Sequence, residues 1–434
     1  MKVLVIGGGG REHAVVWKLS QSKRVNKIYC APGNGGISKL AQCVGIAADD
    51  IDGVVSFAKS EGIDFCVVTP DNPLVMGMVD ALGKAGIKAF GPSENAAIIE
   101  GSKAFSKKFM VENGIPTAQY REFSSPAEAV EYLKLCSFPQ VIKADGLALG
   151  KGVIIAENFD DACAAVKNIM EEKAFGDSGN KIVIEDFLRG EEITVLAFTD
   201  GETIYPMPAS RDYKRAFDGD CGLNTGGMGA YSHTGFYTPD DARFCMEKIY
   251  RPTMDALRKS GRRFKGVIYF GLMKTEDGIF VVEYNARFGD PETQVILPCL
   301  KTDLLDIMEA VADERLSEIK IEWTDKKSVC VVLVSGGYPQ KYETGHQISG
   351  ISFSYDNMSA VNSPCGCCAS SDVIIFHSGT KVENGILKTS GGRVLCVVGL
   401  ADSTVAAREK AYSVCSKISF DKMHFRKDIA DISV

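Results

Sequence analysis

Short, mostly apolar runs alternate with helical patterns over the first 100 residues of the chain. The runs that predict strands lie at residues 3–6, 28–30, 65–68 and 88–90. After the first run, Ala14, Val15, Trp17 and Leu19 recur at helical spacing. Buried strands separated by helices predict a parallel sheet with both faces covered. Each run ends in a segment rich in Gly, Pro or Asn, and such sheets bind ligands at the carboxyl ends of their strands.

The pattern changes after residue 101. A polar helix is predicted at residues 102–112, and strands at 139–143 and 153–155 flank a glycine-rich loop. Lys143 lies on the first of these strands and Lys151 lies in the loop. A lysine at the tip of such a hairpin can close over a polyphosphate.

Polar residues alternate at the end of the central region. Strands are predicted at 181–188, 193–198, 266–273 and 278–282, and the chain continues as EYNARFGDPET. A period of two places Glu283, Asn285 and Arg287 on one face of a strand. Two hard oxygen ligands beside a cation suit a Mg²⁺ ion that bridges nucleotide phosphates. The alternative is a solvated strand with alternating polar residues, which fits the apolar run before it less well.

Residues 211–231, RDYKRAFDGDCGLNTGGMGAY, carry charges first and glycines afterwards. Glycines let backbone N–H groups approach an anion, and cations balance its charge. We interpret the block as a loop that exposes its backbone at a phosphate site. The alternative is a solvated surface loop.

The glycines of residues 7–10 form a second candidate phosphate cradle, with Gly9, Gly10 and Arg11 before a helix. Glu12 occupies the sixth position of the dinucleotide fingerprint, where glycine belongs, and no acidic residue ends the second strand. These departures disfavour a nicotinamide dehydrogenase. A tight strand-to-helix turn without a ligand is the alternative.

Length and composition limit the class of protein. The 434 residues exceed one core and predict about three domains, the last one from strands at 329–334, 373–376 and 394–398 and a helix at 404–418. A net charge of −7 argues against a nucleic-acid partner. The chain contains no apolar run long enough for a membrane span and no signal peptide pattern, so we expect a cytoplasmic protein with no membrane partner. Fourteen cysteines are expected to be reduced, and the cluster Cys365, Cys367 and Cys368 lacks the partners of a zinc site.

Taken together, the motifs resemble those of the phosphoribosylamine–glycine ligase family, within the ATP-grasp superfamily. The resemblance runs along the whole chain and rests on GGGGREHA, GNGG, PDNPL, IEGSK, KADGLALGKGV, EDFLRGEE, NTGGMGAY, EYNARFGDPETQ, SGGYP, FHSGT and GGRVLCV. EYNARFGDPETQ and NTGGMGAY are the most specific of these motifs.

The resemblance implies an α/β and α+β multidomain protein. Its parts would be an N-terminal parallel α/β domain at residues 1–100, an ATP-grasp region of antiparallel sheets at 101–325 with a mobile lid at about 120–192, and a C-terminal mixed α/β domain at 326–434. It also implies the reaction: ATP activates glycine as glycyl phosphate, and 5-phosphoribosylamine attacks it to give glycinamide ribonucleotide in purine biosynthesis. We expect a monomer.

The resemblance assigns the nucleotide site residue by residue. It implies ATP contacts from Lys103, Lys143, Lys151, Glu185, Asp186, Phe187, Leu188 and Glu192. Glu283 and Asn285 match the ligands of Mg²⁺, for which Mn²⁺ is a candidate substitute. Arg287 would stabilise the charge on the transferring phosphoryl group.

The same resemblance assigns the other substrates. Phosphoribosylamine would be held by Gly9, Gly10, Arg11, Asn34 and Asp71. Glycine and its acyl phosphate would be held by Asp212, Lys214, Asn224, Thr225, Gly226 and Gly227, with Asp212 and Lys214 also in catalytic roles. The chain departs from the family pattern at Thr69, Asp71, Arg211 and Tyr213, where Gly, Glu, Gln and His are common.

Two other functions fit parts of the sequence. Another ATP-grasp enzyme, such as a purine-pathway carboxylase or a biotin carboxylase, would share the nucleotide site but would need bicarbonate-binding features in place of residues 211–231. A nucleotide-binding sensor without catalysis would not need two metal ligands facing an arginine.

Overall fold

The computed structural model describes residues 1–148, 152–351 and 372–431. Its N-terminal region is a parallel sheet of five strands in the order β3-β2-β1-β4-β5. The strands are β1 (Lys2–Gly7), β2 (Lys27–Pro32), β3 (Gln42–Cys43), β4 (Phe65–Val68) and β5 (Lys88–Phe90). The helices are α1 (Gly10–Leu19), α2 (Ile51–Glu61), α3 (Asp71–Val75), α4 (Met78–Lys84) and α5 (Glu94–Gly101). The predicted parallel α/β region is confirmed.

A four-stranded antiparallel sheet lies in the region that the sequence predicts to be the lid, and this subdomain is called the lid below. It follows α6 (Lys103–Glu112) and has the order β6-β9-β7-β8. Its elements are β6 (Tyr120–Phe123), α7 (Pro126–Leu133), β7 (Gln140–Ala144), β8 (Val153–Ala156), α8 (Phe159–Val166) and β9 (Ile182–Asp186). The lid has an apolar core of its own, built by residues of α7, α8 and the sheet. Lys151 and the cysteine cluster at 365–368 lie outside the described residues.

A large antiparallel sheet joins the central and C-terminal regions. Its order is β17-β16-β10-β12-β15-β18-β22-β19, and β11 pairs with β10. These strands are β10 (Glu191–Thr199), β11 (Ile204–Pro206), β12 (Ser210–Asp212), β15 (Gly229–Ser232), β16 (Gly266–Thr275), β17 (Gly278–Asn285), β18 (Lys327–Val334), β19 (Val373–His377) and β22 (Arg393–Ala401). The sheet therefore continues across residue 325 through the β15–β18 pair.

Two small hairpins and five further α-helices belong to the central and C-terminal regions. The hairpins are β13 (Arg215–Phe217) with β14 (Cys221–Asn224), and β20 (Thr380–Glu383) with β21 (Ile386–Thr389). The helices are α9 (Pro239–Cys245), α10 (Arg251–Lys259), α11 (Glu292–Ile296), α12 (Leu304–Ala312) and α13 (Thr404–Cys415). Across the described ranges, no helix has the length and apolar character of a membrane span.

The structure corrects the interpretation of residues 211–231 as a single loop. Most of the block is β-structure, from β12 to β15. Two of its charges bind the C-terminal segment: Asp220 Oδ1 accepts from Arg426 Nη1 at 2.7 Å, and Asp218 Oδ1 accepts from Lys427 N at 2.8 Å. These contacts join residues that are about 200 positions apart in the sequence, and they hold the hairpin of β13 and β14 in place.

The strand predicted to carry three site residues is also shorter than expected. β17 ends at Asn285, so Arg287 lies beyond it. The physical reason is that the N–H of Ala286 donates to Glu100 Oε2 at 2.7 Å instead of to a neighbouring strand. Burial still alternates through residue 288, which keeps Arg287 on the less buried side with Glu283 and Asn285.

Candidate active site

Four cations surround one carboxylate near the end of β17. Burial raises the pKa of Glu283, but the ammonium groups of Lys214, Lys143 and Lys103 and the guanidinium of Arg287 outweigh it, and the net pKa lies below the usual range. Glu283 is therefore ionised. The structure brings together side chains from residues 103 to 287, which the sequence had placed on separate elements.

Arg287 is fixed by a buried carboxylate. Its Nη2 lies 3.0 Å from Glu100 Oε1 and donates to Asn285 Oδ1 at 2.9 Å. Its Nη1 donates to Phe288 O at 3.2 Å, and its buried Nε has no hydrogen-bond partner in the described part of the chain. Burial lowers the pKa of Arg287, but the carboxylates of Glu100 and Asp71 raise it by more. The guanidinium is thus a permanent, oriented cation.

Two lysines approach Glu283 from the lid side. Lys143 Nζ donates to Val282 O at 3.2 Å. Lys103 Nζ donates to Gly146 O at 2.7 Å. Burial lowers the pKa of Lys103, and the attraction of Glu283 opposes this shift. Both ammonium groups therefore lie between the lid and β17.

The segment after the lid leads into β10. The Glu185 side chain is buried, and its Oε1 lies 2.9 Å from Lys143 Nζ. Asp186 ends β9 and is exposed, whereas Phe187 and Leu188 are half-buried beyond the strand. The carboxylate of Glu185 is thus engaged by lysine, and the chain leaves the strand ladder only after Asp186.

A cleft opens beside Glu283. It is lined by Glu192, Ile193, Thr194, Lys214, Tyr269, Gly271, Leu272, Val282 and Glu283. Lys214 Nζ lies 3.1 Å from Glu192 Oε2. Burial lowers the pKa of Lys214, but Glu192 and Asp212 raise it well above its usual value. A Cβ at Gly271 would lie 3.0 Å from Glu283 Cγ, so glycine leaves room for this carboxylate.

Asp212 lies among three other carboxylates at the end of β12. The pKa of Asp212 is raised to about 8, mainly by burial. The ammonium of Lys214 opposes this shift, and the carboxylates of Glu292, Glu192 and Glu283 add to it. Near neutral pH, Asp212 therefore holds a proton that an ordinary aspartate has lost.

We expect Asp212→Asn to stabilise the protein at alkaline pH. Because the folded-state pKa is raised to about 8, the folded protein binds the extra proton, and stability falls as pH rises from about 4 to about 8. Thermal melts at about pH 9 should show a melting temperature at least about 2 °C above that of the wild type, with a smaller gain at about pH 5.

Asp241→Asn is the matched control. Burial raises the pKa of Asp241, but its ion pair with Lys274 at 2.6 Å makes the net pKa lower than usual. Loss of this carboxylate should lower the melting temperature. A gain for Asp212→Asn that does not change with pH would contradict the assignment.

The glycine loop after β1 contacts the segment beyond β17. Gly9 N donates to Glu12 Oε2 at 2.6 Å, and Thr69 Oγ1 donates to Glu12 Oε1 at 2.8 Å. Arg11 Nε lies 2.5 Å from Glu12 Oε1, and Arg11 Nη1 donates to Phe288 O at 3.2 Å. Glu12, which departs from the dinucleotide fingerprint, thus holds this loop in place.

Asn34 joins the glycine loop to the C-terminal region. Its Nδ2 donates to Gly8 O at 2.9 Å and to His377 O at 2.7 Å. Its Oδ1 accepts the N–H groups of residues 36 and 37 at 2.9 Å each. Gly10 approaches the same region, where a Cβ would lie 2.6 Å from Ser378 Oγ. The amide of Asn34 is thus engaged by the protein, and it fixes the loops around the predicted amine site.

The residues after Asn224, which ends β14, form a turn that reaches Arg393. Thr225 Oγ1 donates to Lys214 O at 2.9 Å and accepts Gly227 N–H at 3.0 Å. Gly227 has a φ of +107°, which glycine adopts without strain. The guanidinium of Arg393 donates to the carbonyl oxygen of Gly226.

Arg393 also holds Asp290, close to the glycine loop. Its Nη2 lies 3.0 Å from Asp290 Oδ2, and Gln294 Nε2 donates to Asp290 Oδ1 at 2.6 Å. Burial raises the pKa of Asp290, but Arg393 and Arg11 make the net pKa lower than usual. The N-terminal, central and C-terminal regions therefore meet at this carboxylate.

The side chains at two of the positions that depart from the family pattern make their contacts away from Asp212. Arg211 Nη1 lies 2.5 Å from Glu191 Oε2. Tyr213 OH accepts from Ala430 N at 3.0 Å. Neighbours on a strand face opposite sides. Arg211 and Tyr213 therefore serve contacts outside the cluster of carboxylates around Asp212.

Comparisons with known proteins identify the family of the chain. Residues 1–100, 101–293 and 328–432 match the N, ATP-grasp (A) and C domains of phosphoribosylglycinamide synthetase. The chain is 47% identical over 430 residues to phosphoribosylamine–glycine ligase of Caldanaerobacter subterraneus subsp. tengcongensis, covering 99% of both chains. The chain belongs to the phosphoribosylglycinamide synthetase family.

Solved structures extend the comparison. Phosphoribosylamine–glycine ligase of Thermotoga maritima matches with a TM-score of 0.83 and 30% identity, covering 99% of this chain and 100% of that one. The biotin carboxylase domain of 2-oxoglutarate carboxylase from Hydrogenobacter thermophilus matches with a TM-score of 0.73 and 14% identity, covering 98% and 91%. The second match shows the fold alone.

The ATP-grasp domain of the phosphoribosylglycinamide synthetase family binds ATP with a divalent metal. The described residues contain no group of three or more His, Cys, Asp and Glu side chains that could hold a metal by themselves. Glu283 and Asn285 nevertheless offer a carboxylate and an amide oxygen. Mg²⁺ takes few protein oxygens and completes its shell with phosphates and water. The donor set therefore fits a metal that arrives with a nucleotide.

Several side chains that interact with the predicted site residues were not singled out by the sequence analysis. They are Glu100, Lys107, Glu292 and Arg393. Lys107 follows Lys103 by four residues and therefore shares its helix face, which is a usable signal. Glu100 and Arg393 have no such local signal, because only the tertiary fold brings them to Arg287 and Asp290.

Proposed function

We propose that this protein joins glycine to 5-phosphoribosylamine with ATP, giving glycinamide ribonucleotide, ADP and phosphate. The relatives from Caldanaerobacter subterraneus and Thermotoga maritima are phosphoribosylamine–glycine ligases. The observation that carries the proposal is the convergence of four cations on Glu283 beside a cleft. Phosphoryl transfer to a carboxylate brings two anions together, so preorganised cations are the main requirement.

The nucleotide would lie between the lid and the large sheet. Lys103 and Lys143 would contact its phosphates, and Glu192 would bind the ribose hydroxyls. Backbone groups of the segment Glu185, Asp186, Phe187 and Leu188 would meet adenine. Glu283 and Asn285 would hold Mg²⁺ or Mn²⁺. When bound, the metal would neutralise phosphate charge.

Two steps then follow from the chemistry. A glycine carboxylate oxygen attacks the γ-phosphorus, the bond to ADP breaks, and glycyl phosphate forms while Arg287 and Lys214 stabilise the charge. The amine of phosphoribosylamine next attacks the glycyl carbonyl, and the bond to phosphate breaks. In the fraction of molecules in which Asp212 is ionised, its carboxylate would take the proton that the amine loses, because a pKa raised to about 8 makes it a stronger base than an ordinary aspartate.

The amine substrate would bind where three regions meet. Gly9, Gly10 and Arg11 would face its phosphate, and Asn34 and Asp71 would define the edge of the site. The run Asn224, Thr225, Gly226 and Gly227 would border the glycyl phosphate. These roles are supported by the contacts that tie the glycine loop, residue 290 and Arg393 together.

Acceptor-dependent release of phosphate from ATP tests the proposal. We expect release only when glycine and phosphoribosylamine are both present, in stoichiometry with glycinamide ribonucleotide. The amine can be formed in the assay from ribose 5-phosphate and ammonia. The fold match to a biotin carboxylase domain makes bicarbonate the relevant comparison. Release that requires bicarbonate instead of glycine would overturn the proposal.

A further inference from the structure

A buried carboxylate holds two lysines near the proposed nucleotide site. Glu185 Oε1 lies 2.9 Å from Lys143 Nζ, and Glu185 Oε2 lies 2.7 Å from Lys107 Nζ. All three side chains are no more than 5% exposed. The cluster therefore contains two positive charges and one negative charge away from water. Such an excess charge is unfavourable in a protein interior unless a further anion balances it.

The same cluster connects the lid to the large sheet. Lys107 Nζ, on α6, donates to Thr117 Oγ1 at 2.7 Å. Thr117 Oγ1 in turn donates to Val281 O of β17 at 2.8 Å. Lys143, on lid strand β7, donates to Val282 O at 3.2 Å. Lys107 thus contacts Glu185 of β9 and also Thr117, which is hydrogen-bonded to β17.

We propose that Lys107 is a positioning residue of the nucleotide site: by sharing Glu185, it keeps the Lys143 ammonium available to a phosphate oxygen. An ammonium has three N–H donors. Lys143 directs two of them to Glu185 and Val282, and the third is the one assigned to the nucleotide. Without Lys107, Glu185 would interact with Lys143 alone and would compete with the nucleotide for it. This inference rests on the proposed nucleotide site.

Lys107→Met tests the inference while keeping much of the side-chain volume. We expect calorimetry to show ATP binding about 10-fold weaker than for the wild type, and the KM for ATP to rise by a similar factor. Lys108→Met is the matched control, because Lys108 is an exposed neighbour whose side chain is 66% accessible. Its ATP affinity should not change. Unchanged affinity in Lys107→Met would overturn the inference.

A double variant separates positioning from structural support. Adding Glu185→Gln to Lys107→Met removes the charge that competes for Lys143, so ATP affinity should return to within about threefold of the wild type. A merely structural role predicts the opposite, because a second buried substitution would weaken the site further. The proposal would be contradicted if the double variant bound ATP no more tightly than Lys107→Met, even if both variants had lower melting temperatures than the wild type.

The pH dependence supplies a further readout. The pKa of Lys107 is lowered to about 8, mainly by burial. The nearby carboxylate of Glu185 opposes this shift, and the positive charge of Lys143 adds to it. The other titratable groups that face it are Asp186 of β9 and Tyr120 of β6. The KM for ATP should rise above about pH 8 as Lys107 loses its proton, and Lys107→Arg should remove this rise because arginine stays charged. An identical rise in Lys107→Arg would contradict the assignment.

Failure of this inference differs from failure of the proposed function. If the wild type binds no ATP, the nucleotide site itself is wrong. If the wild type binds ATP and Lys107→Met binds it equally well, the nucleotide site stands and Lys107 has no part in positioning Lys143.

Discussion

Glu283→Gln is expected to lower kcat/KM for Mg-ATP by at least about 100-fold at ordinary magnesium concentrations. The substitution keeps the shape of the side chain and removes the charge of the carboxylate that is proposed to bind the metal. Glu283 also offsets the charges of Lys214, Lys143, Lys103 and Arg287, which lower its pKa. Its loss makes the net charge of this cluster more positive. ADP should therefore bind the variant at least as tightly as the wild type when magnesium is removed.

Initial rates over a magnesium titration, with ADP calorimetry in chelator, measure both effects. Glu276→Gln is the control, because Glu276 is exposed in the turn at the other end of the β16–β17 hairpin. It should match the wild type in both assays. Wild-type turnover of Glu283→Gln at ordinary magnesium would exclude the metal assignment.

Arg287→Lys is expected to lower kcat by about 100- to 1000-fold while the KM for ATP changes by no more than about threefold. The guanidinium reaches Glu100, Asn285 and the carbonyl of residue 288 at once. An ammonium cannot keep this planar set of contacts. A positive charge would remain beside Glu100, but the orientation proposed to stabilise the transferring phosphoryl group would be lost.

Steady-state kinetics at saturating glycine and amine separate kcat from KM for ATP. Arg263→Lys provides the control, because Arg263 is an exposed residue paired with Glu202 and Glu314. A thermal melt establishes that Arg287→Lys is folded, since Glu100 is buried and loses part of its partner. A raised KM with an unchanged kcat would show that Arg287 binds the nucleotide without acting in the transfer.

The first region of the fold was predictable because its strands are buried on both faces. Such strands produce continuous apolar runs, and β4, which is buried along its whole length, begins and ends at the predicted residues. The hairpin of β7 and β8 was recognisable for a related reason, since a glycine-rich segment separates two apolar runs. Local patterns were sufficient in both cases.

The errors arose where distant contacts decide the structure. Asp218 and Asp220 look like the charges of a phosphate loop, but residues 426 and 427 bind them. β17 ends early because Glu100, from another helix, accepts the next backbone N–H. Period-two spacing still indicated that Glu283, Asn285 and Arg287 share a side, and the structure places them near each other. The carboxylates around Asp212 and the lysine pair at Glu185 require the tertiary fold, so spacing alone could not reveal them.

The central claim is that the site around Glu283, on which four cations act, activates glycine by phosphorylating its carboxylate. Glycine labelled with ¹⁸O in both carboxylate oxygens tests it most directly, with mass spectrometry of the phosphate released in the presence of ATP and phosphoribosylamine. The claim predicts one labelled oxygen in each phosphate, because the oxygen that attacks the γ-phosphorus leaves with it. Phosphate that carries no label, although glycinamide ribonucleotide forms, would contradict it.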